Sequence, residues 1–105
     1  MNYKSPKIWG KSTWIFLYCI VNTYPEYPSK KEKKEYKIFF ESLQNILPCK
    51  LCRHHYKIWL EINPIDKNLN SQKDLYKWLI LLDNFIRLRL NKPLINDCNK
   101  YYFNY

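Results

Sequence analysis

The 105 residues suffice for one domain with a single hydrophobic core. A hydrophobic share of 47% excludes a disordered basic tail, and the single glycine, Gly10, excludes Gly-rich phosphate loops such as G-x-G-x-x-G. The net charge of +9 favours anionic partners, but its one dense run (Lys30, Lys31, Lys33, Lys34) alternates with Glu32 and Glu35 like a solvated helix face, which disfavours nucleic acid.

The first six residues lack the apolar stretch of a signal peptide, and the longest apolar run, residues 14–21, is too short to span a membrane. A first helix is predicted over residues 7–23, ending before Tyr24-Pro25 and Tyr27-Pro28. Within it Cys19, flanked by apolar residues, reads as a small buried hydrophobe. Ser29 with Glu32 forms a capping-box pattern that opens a second helix. Its apolar stripe is Tyr36, Phe39, Phe40, Leu43, Ile46 and Leu47, and Pro48 breaks it. A third helix begins at Cys49 and carries Cys52, His55, Tyr56, Trp59 and Leu60 on one face until Asn63-Pro64. Residues 65–70 read as loop. Ser71 with Asp74 starts a fourth helix that lasts to Asn91-Lys92-Pro93, and a short fifth is expected over about residues 95–102. The fold class is therefore all-α, a four-helix bundle with a short fifth helix, over residues 1–105.

Cys49-Lys50-Leu51-Cys52 is the chemical centre of the sequence. A cysteine in the first turn of a helix meets unpaired N–H groups and the positive end of the helix dipole, and such thiols ionise as low as roughly pH 3.5–7.5. Lys50, Arg53 and His54 add positive charge. Three readings compete: a redox pair, a zinc site completed by His54 and His55, and an inert buried pair. Adjacent histidines point about 100° apart on a helix, which counts against zinc. In a chain lacking a signal segment, a catalytic cysteine is favoured over a structural disulfide. The aromatic share of 18%, with four Trp and ten Tyr, serves core packing first and a flat ligand second.

Wider motifs separate these readings. Trp9-Gly10-x-x-x-Trp14-x-x-Leu17-Tyr18 leads into Tyr24-Pro25-x-x-Pro28. Leu47-Pro48-Cys49-x-x-Cys52 follows, then Leu75-x-x-Trp78 and Asp83-Asn84-x-x-Arg87-x-x-Leu90-Asn91-Lys92-Pro93. In this order and spacing the chain resembles the Erv/ALR family of FAD-linked sulfhydryl oxidases over residues 8–98, most of all its compact viral members. The resemblance implies non-covalent FAD, a homodimer, protein dithiol substrates (thioredoxin-like partners among them) and dioxygen as acceptor, reduced to hydrogen peroxide. It implies that Cys49 is attacked by outside thiols and that Cys52 lies next to the flavin. Trp9, Gly10, Trp14, Tyr18, Tyr24 and His55 would line the cofactor, with Asp83, Asn84, Arg87 and Lys92 around its adenosine and pyrophosphate end. No metal is implied, and the viral likeness points to a cytoplasmic or virion-associated system.

The chain departs from the family pattern in three places. Asp83 and Tyr18 stand where histidines are usual, and Glu61 occupies the region that often pairs with a tail cysteine, leaving Cys98 unassigned. An acid at 83 would either bond a ribose hydroxyl or repel phosphate. The alternatives to an oxidase are a basic helical module holding zinc or nucleic acid, and a scaffold that has lost its flavin.

Overall fold

The computed structural model describes residues 1–103, and within them the expected four-helix bundle with a short fifth helix forms. α1 spans Pro6–Asn22, α2 Lys30–Ile46, α3 Lys50–Ile62, α4 Gln72–Arg89 and α5 Cys98–Tyr102. No strand occurs among the described residues, nor any helix long and apolar enough to cross a membrane.

Each start has a chemical reason. Ser5 caps α1 by accepting from the Lys7 N–H at 3.3 Å, with Pro6 in the first turn, where its missing donor costs nothing. Ser29 and Glu32 close the capping box of α2 at 3.1 and 2.9 Å. Ser71 accepts from the Asp74 N–H at 3.1 Å and starts α4. The end of α4 is a Schellman turn: Lys92 N–H donates to the Arg87 carbonyl at 2.9 Å and Asn91 N–H to the Leu88 carbonyl at 3.3 Å. Asn91, at φ 55°, takes the left-handed position that asparagine tolerates.

The core is aromatic. Trp78 of α4 meets Phe40 of α2 and Trp59 of α3 edge-on, at 5.4 and 5.0 Å between ring centroids. Its indole N–H donates to the Asn63 carbonyl at 3.0 Å, so the ring is buried without an orphaned donor. Tyr24 stacks edge-on against Tyr36 at 4.7 Å and donates its hydroxyl to the Leu69 carbonyl at 2.6 Å.

Three details differ from the sequence-based expectation. Residues 65–68 form a 3₁₀ turn rather than open loop, held by buried Ile65 and by the Lys37–Asp66 ion pair. α5 begins at Cys98 because Asp97 caps it through the Asn99 N–H, while Asn84 engages the backbone of Ile95. Cys19 faces outward on α1 beside exposed Phe16, whereas Cys98 is the fully buried cysteine.

The tail returns over α1 and α4 through one buried carboxylate. Asp83, 1% exposed, accepts from Arg87 Nε at 2.9 Å, the Tyr18 hydroxyl at 2.8 Å and the Tyr102 hydroxyl at 3.0 Å. Arg87 reaches on to the Pro93 carbonyl at 3.2 Å and the Tyr102 hydroxyl at 3.0 Å, with its guanidinium 3.9 Å from the centre of the Tyr101 ring. Removing the carboxylate leaves a buried guanidinium unpaired. Asp83→Ala is expected to lower the unfolding free energy by about 3–5 kcal/mol, and Tyr102→Phe by only about 1 kcal/mol. Urea titrations of the two variants check the order.

Candidate functional site

The redox candidates sit where α2 hands over to α3. Pro48 ends the preceding segment, and Cys49 occupies the N-cap of α3 in extended conformation, one position before the first turn. Its sulfur does the work that Ser or Asp does elsewhere: it accepts the Cys52 N–H at 3.2 Å. The expected first-turn location is thus shifted by one residue, with the same electrostatic consequence. Both cysteines are half-buried and unbonded, so the structure describes the dithiol form.

The two sulfurs have unequal acidities. Partial burial opposes ionisation of Cys49. Donation from the Cys52 thiol, from the Cys52 and Leu51 N–H groups, and the charge of Arg53 outweigh it and hold the thiol below its ordinary value. Arg53 is kept at this corner by its guanidinium, which donates to the Leu47 carbonyl. Burial, followed by the hydrogen bond to Cys49 and the proximity of its charge, pushes Cys52 up to about 12. Cys49 therefore gives up its proton more readily than an ordinary thiol, and Cys52 less readily.

His55 follows Cys52 by three residues, about one helical turn, and is half-buried. Burial, then the charges of Arg89 and His54, hold its imidazole below the usual histidine range. Arg89, from the end of α4, therefore belongs to the same electropositive neighbourhood, although the sequence pattern did not single it out. The His54 and His55 rings diverge, 6.0 Å apart between centroids, and no group of three or more His, Cys, Asp or Glu side chains gathers for a metal among the described residues.

The other expected site residues fall into two groups. Trp14 is half-buried and tilted against Tyr18 at 6.2 Å, Trp9 and Gly10 are half-buried one turn earlier, and Lys92 is exposed just past the Schellman turn. A Cβ on Gly10 would meet Pro6 at an ordinary 3.7 Å, so nothing within the bundle itself demands glycine there. The second group spends its polar atoms on the protein. Tyr24 is bonded to Leu69, and Asn84 both donates to the Ile95 carbonyl and accepts its N–H at 2.8 Å. Tyr18, Asp83 and Arg87 share one network, whose burial and carboxylate push the Tyr18 phenol far above its ordinary value. The structure thereby gives Asp83 to the tail: both its oxygens are taken, and neither is offered to a ribose. Tyr102, the remaining partner, went unrecognised in the sequence, where a tyrosine after Tyr101 near the C-terminus carries no spacing signal. The i, i+4 relation of Asp83 and Arg87 was the legible half.

Comparison with known proteins adds a second line of observation. Residues 11–105 match the Erv1 / Alr family. The chain is 34% identical over 92 residues to a probable FAD-linked sulfhydryl oxidase of Acanthamoeba polyphaga mimivirus, covering 87% of this chain and 64% of that protein. It is 33% identical over 91 residues to an FAD-linked sulfhydryl oxidase of Arabidopsis thaliana, covering 87% of this chain and 46% of that one. The chain thus spans less than two thirds of either relative. The fold matches the crystal structure of the yeast Erv1 core with a TM-score of 0.79 at 29% identity, over 86% of this chain and 74% of that one.

The sulfur asymmetry is directly testable on the reduced protein. Iodoacetamide should label Cys49 before Cys52, with a rate profile whose midpoint lies below that of free cysteine because the thiolate is the reacting form and Cys49 ionises more readily. Cys52 should need pH approaching 12, and its profile should move to lower pH in Cys49→Ala, since two of the causes that raise it come from Cys49. Mass spectrometry of labelled peptides across pH reads both.

Proposed function

The chain belongs to the Erv1/Alr family, and on that premise we propose that its 105 residues act as one FAD-dependent thiol oxidase domain. It turns protein dithiols into disulfides through Cys49 and Cys52 and delivers the electrons to dioxygen as hydrogen peroxide. The observation that carries this reading is the unequal sulfur pair at the start of α3.

The side chains at hand suit the cofactor. Trp14 offers a flat, half-buried face, and the imidazole of His55 lies near the second sulfur in sequence. Arg89 and Lys92 carry positive charge matched to a diphosphate. We assign cofactor contact to Trp9, Gly10, Trp14, His55 and Lys92. Tyr18, Tyr24, Asp83, Asn84 and Arg87 build the wall behind them. FAD, when bound, supplies a two-electron acceptor that dioxygen reoxidises.

The exchange itself needs only this chain and its substrate. A substrate thiolate attacks Cys49 Sγ of the oxidised pair. The Cys49–Cys52 bond breaks, a substrate–Cys49 disulfide forms, and Cys52 leaves with the electron pair. With Cys49 no longer a neighbouring thiol, two of the influences that raise Cys52 disappear, and the released sulfur is freer to remain ionised. The second substrate thiolate then attacks the substrate sulfur of the mixed disulfide. Cys49 departs as a thiolate that the α3 N-terminus receives, and a low-pKa sulfur is the better leaving group. The substrate ends as a disulfide, with its two electrons on the cysteine pair.

The physiological dithiol is read as a thioredoxin-like protein, the assembly as a homodimer, and the setting as cytoplasm or virion. The zinc and nucleic-acid alternatives lack any comparable support. The purified protein should be yellow with a flavin spectrum. Cys49→Ala and Cys52→Ala should each cut oxygen uptake with dithiothreitol by roughly a hundredfold or more. Uptake that survives both substitutions would sink the mechanism.

A further inference from the structure

The corner around Cys49 has a surface character that the exchange chemistry alone does not need. Ile46, at the last turn of α2, is 65% exposed and Leu51, two residues past Cys49, is 60% exposed. These aliphatic side chains flank the attacked sulfur in the sequence at −3 and +2. The formal charges in the sequence between them and just beyond, Lys50, Arg53 and Lys57, are all positive. Lys50 and His54 are exposed, Arg53 is fixed against the Leu47 carbonyl, and Arg89 lies by His55. From residue 42 to residue 60 the chain holds neither Asp nor Glu. The first acids in either direction are Glu41 and Glu61.

We propose that this corner is a docking surface for an extended segment of a protein dithiol in which the reacting cysteine is flanked by an aliphatic side chain and by carboxylates. The proposal rests on the thiol-oxidase reading and specifies its substrate. An extended segment advances about 3.3 Å per residue, so side chains one or two places from its cysteine are carried within reach of the residues that flank Cys49, Ile46 and Leu51 among them. Its acids meet Lys50 and Arg53, where opposite charge speeds encounter and selects register. A second copy of this chain is a poor occupant, because a two-fold contact would set the same positive patch against itself. Nucleic acid would satisfy the charges, but it leaves two exposed aliphatic side chains without a partner and brings no thiol to Cys49.

The test uses the FAD-loaded 105-residue chain and three Cys-x-x-Cys peptides that differ only in their flanks: Leu with Asp/Glu, Leu with Lys, and Ser with Asp/Glu. Oxygen uptake gives kcat/KM for each. The Leu–acid peptide should exceed the Leu–Lys peptide by roughly tenfold or more at low salt, and the ratio should shrink several-fold between about 20 and 200 mM NaCl. Lys50→Glu should collapse the acid-over-Lys ratio. Ile46→Ser and Leu51→Ser should collapse the Leu-over-Ser ratio. Because each readout is a ratio, any shared effect on flavin content or folding cancels. Equal rates for acid and Lys flanks, with dithiothreitol oxidised normally, would overturn the docking surface and leave the oxidase reading standing. Failure to oxidise dithiothreitol would overturn both. Binding of a single-stranded oligonucleotide that Lys50→Glu abolishes, without any peptide preference, would reassign the surface to nucleic acid.

Discussion

A carboxylate removed from water is costly unless each oxygen is hydrogen-bonded and its charge is matched, and the architecture of this chain follows from meeting that demand at Asp83. One oxygen takes the Arg87 guanidinium, and the other takes the hydroxyls of Tyr18 and Tyr102. Those three partners come from α4, α1 and the tail, so a single group fixes three segments that no backbone ladder joins. Arg87 would be equally expensive alone, and it spends its remaining donors on Pro93 and Tyr102. No buried side-chain nitrogen or oxygen among the described residues is left without a partner. The network is worth having less for its net energy than for its uniqueness: an apolar cluster of the same volume could slide, whereas these hydrogen bonds allow one placement of α5.

The sulfur pair depends on a smaller constraint of the same kind. With Pro48 before it, Cys49 is the residue at which the chain turns into α3, and its sulfur replaces the usual oxygen cap. That position places it in front of donors with no helical partner, while Cys52, one turn further, has its own N–H already committed to Cys49. Burial then acts on the two sulfurs with opposite results, because only Cys49 has donors enough to offset it. The asymmetry that thiol–disulfide exchange needs is thus a consequence of where a helix begins.

Much of this was legible in the sequence, for identifiable reasons. Ser29, Glu32 and Ser71 announce helix starts because capping is local, and the stripe of α2 is read from spacing because helical period and burial coincide. The motif order around Trp14, Cys49 and Lys92 carried the family. What stayed hidden was non-local. Cys19 faces outward against its expected burial, while the unassigned Cys98 is buried, because burial depends on what packs opposite and an apolar-flanked cysteine gives no sign of that. Asp83 looked like a ligand group because its partner Tyr102 is 19 residues away, joined to it only once the tail has folded back. Arg89 escaped notice because its approach to His55 requires α4 to lie beside α3.

The closest helix pairings are α1 with α4 and α2 with α3, which divides the chemistry between two halves. The α2–α3 half carries the sulfurs and the basic, acid-free corner; the α1–α4 half carries Trp14, the Asp83 network and the tail. Trp78 is what joins them, reaching from α4 to Phe40 and Trp59 across the core. With a single glycine, the chain cannot wrap a nucleotide in backbone, so a cofactor has to be held by side chains presented from both halves. Under the oxidase reading, the bound flavin then does for the two halves what Asp83 does for α1, α4 and the tail. Its affinity for the folded chain would add to the stability of the whole bundle.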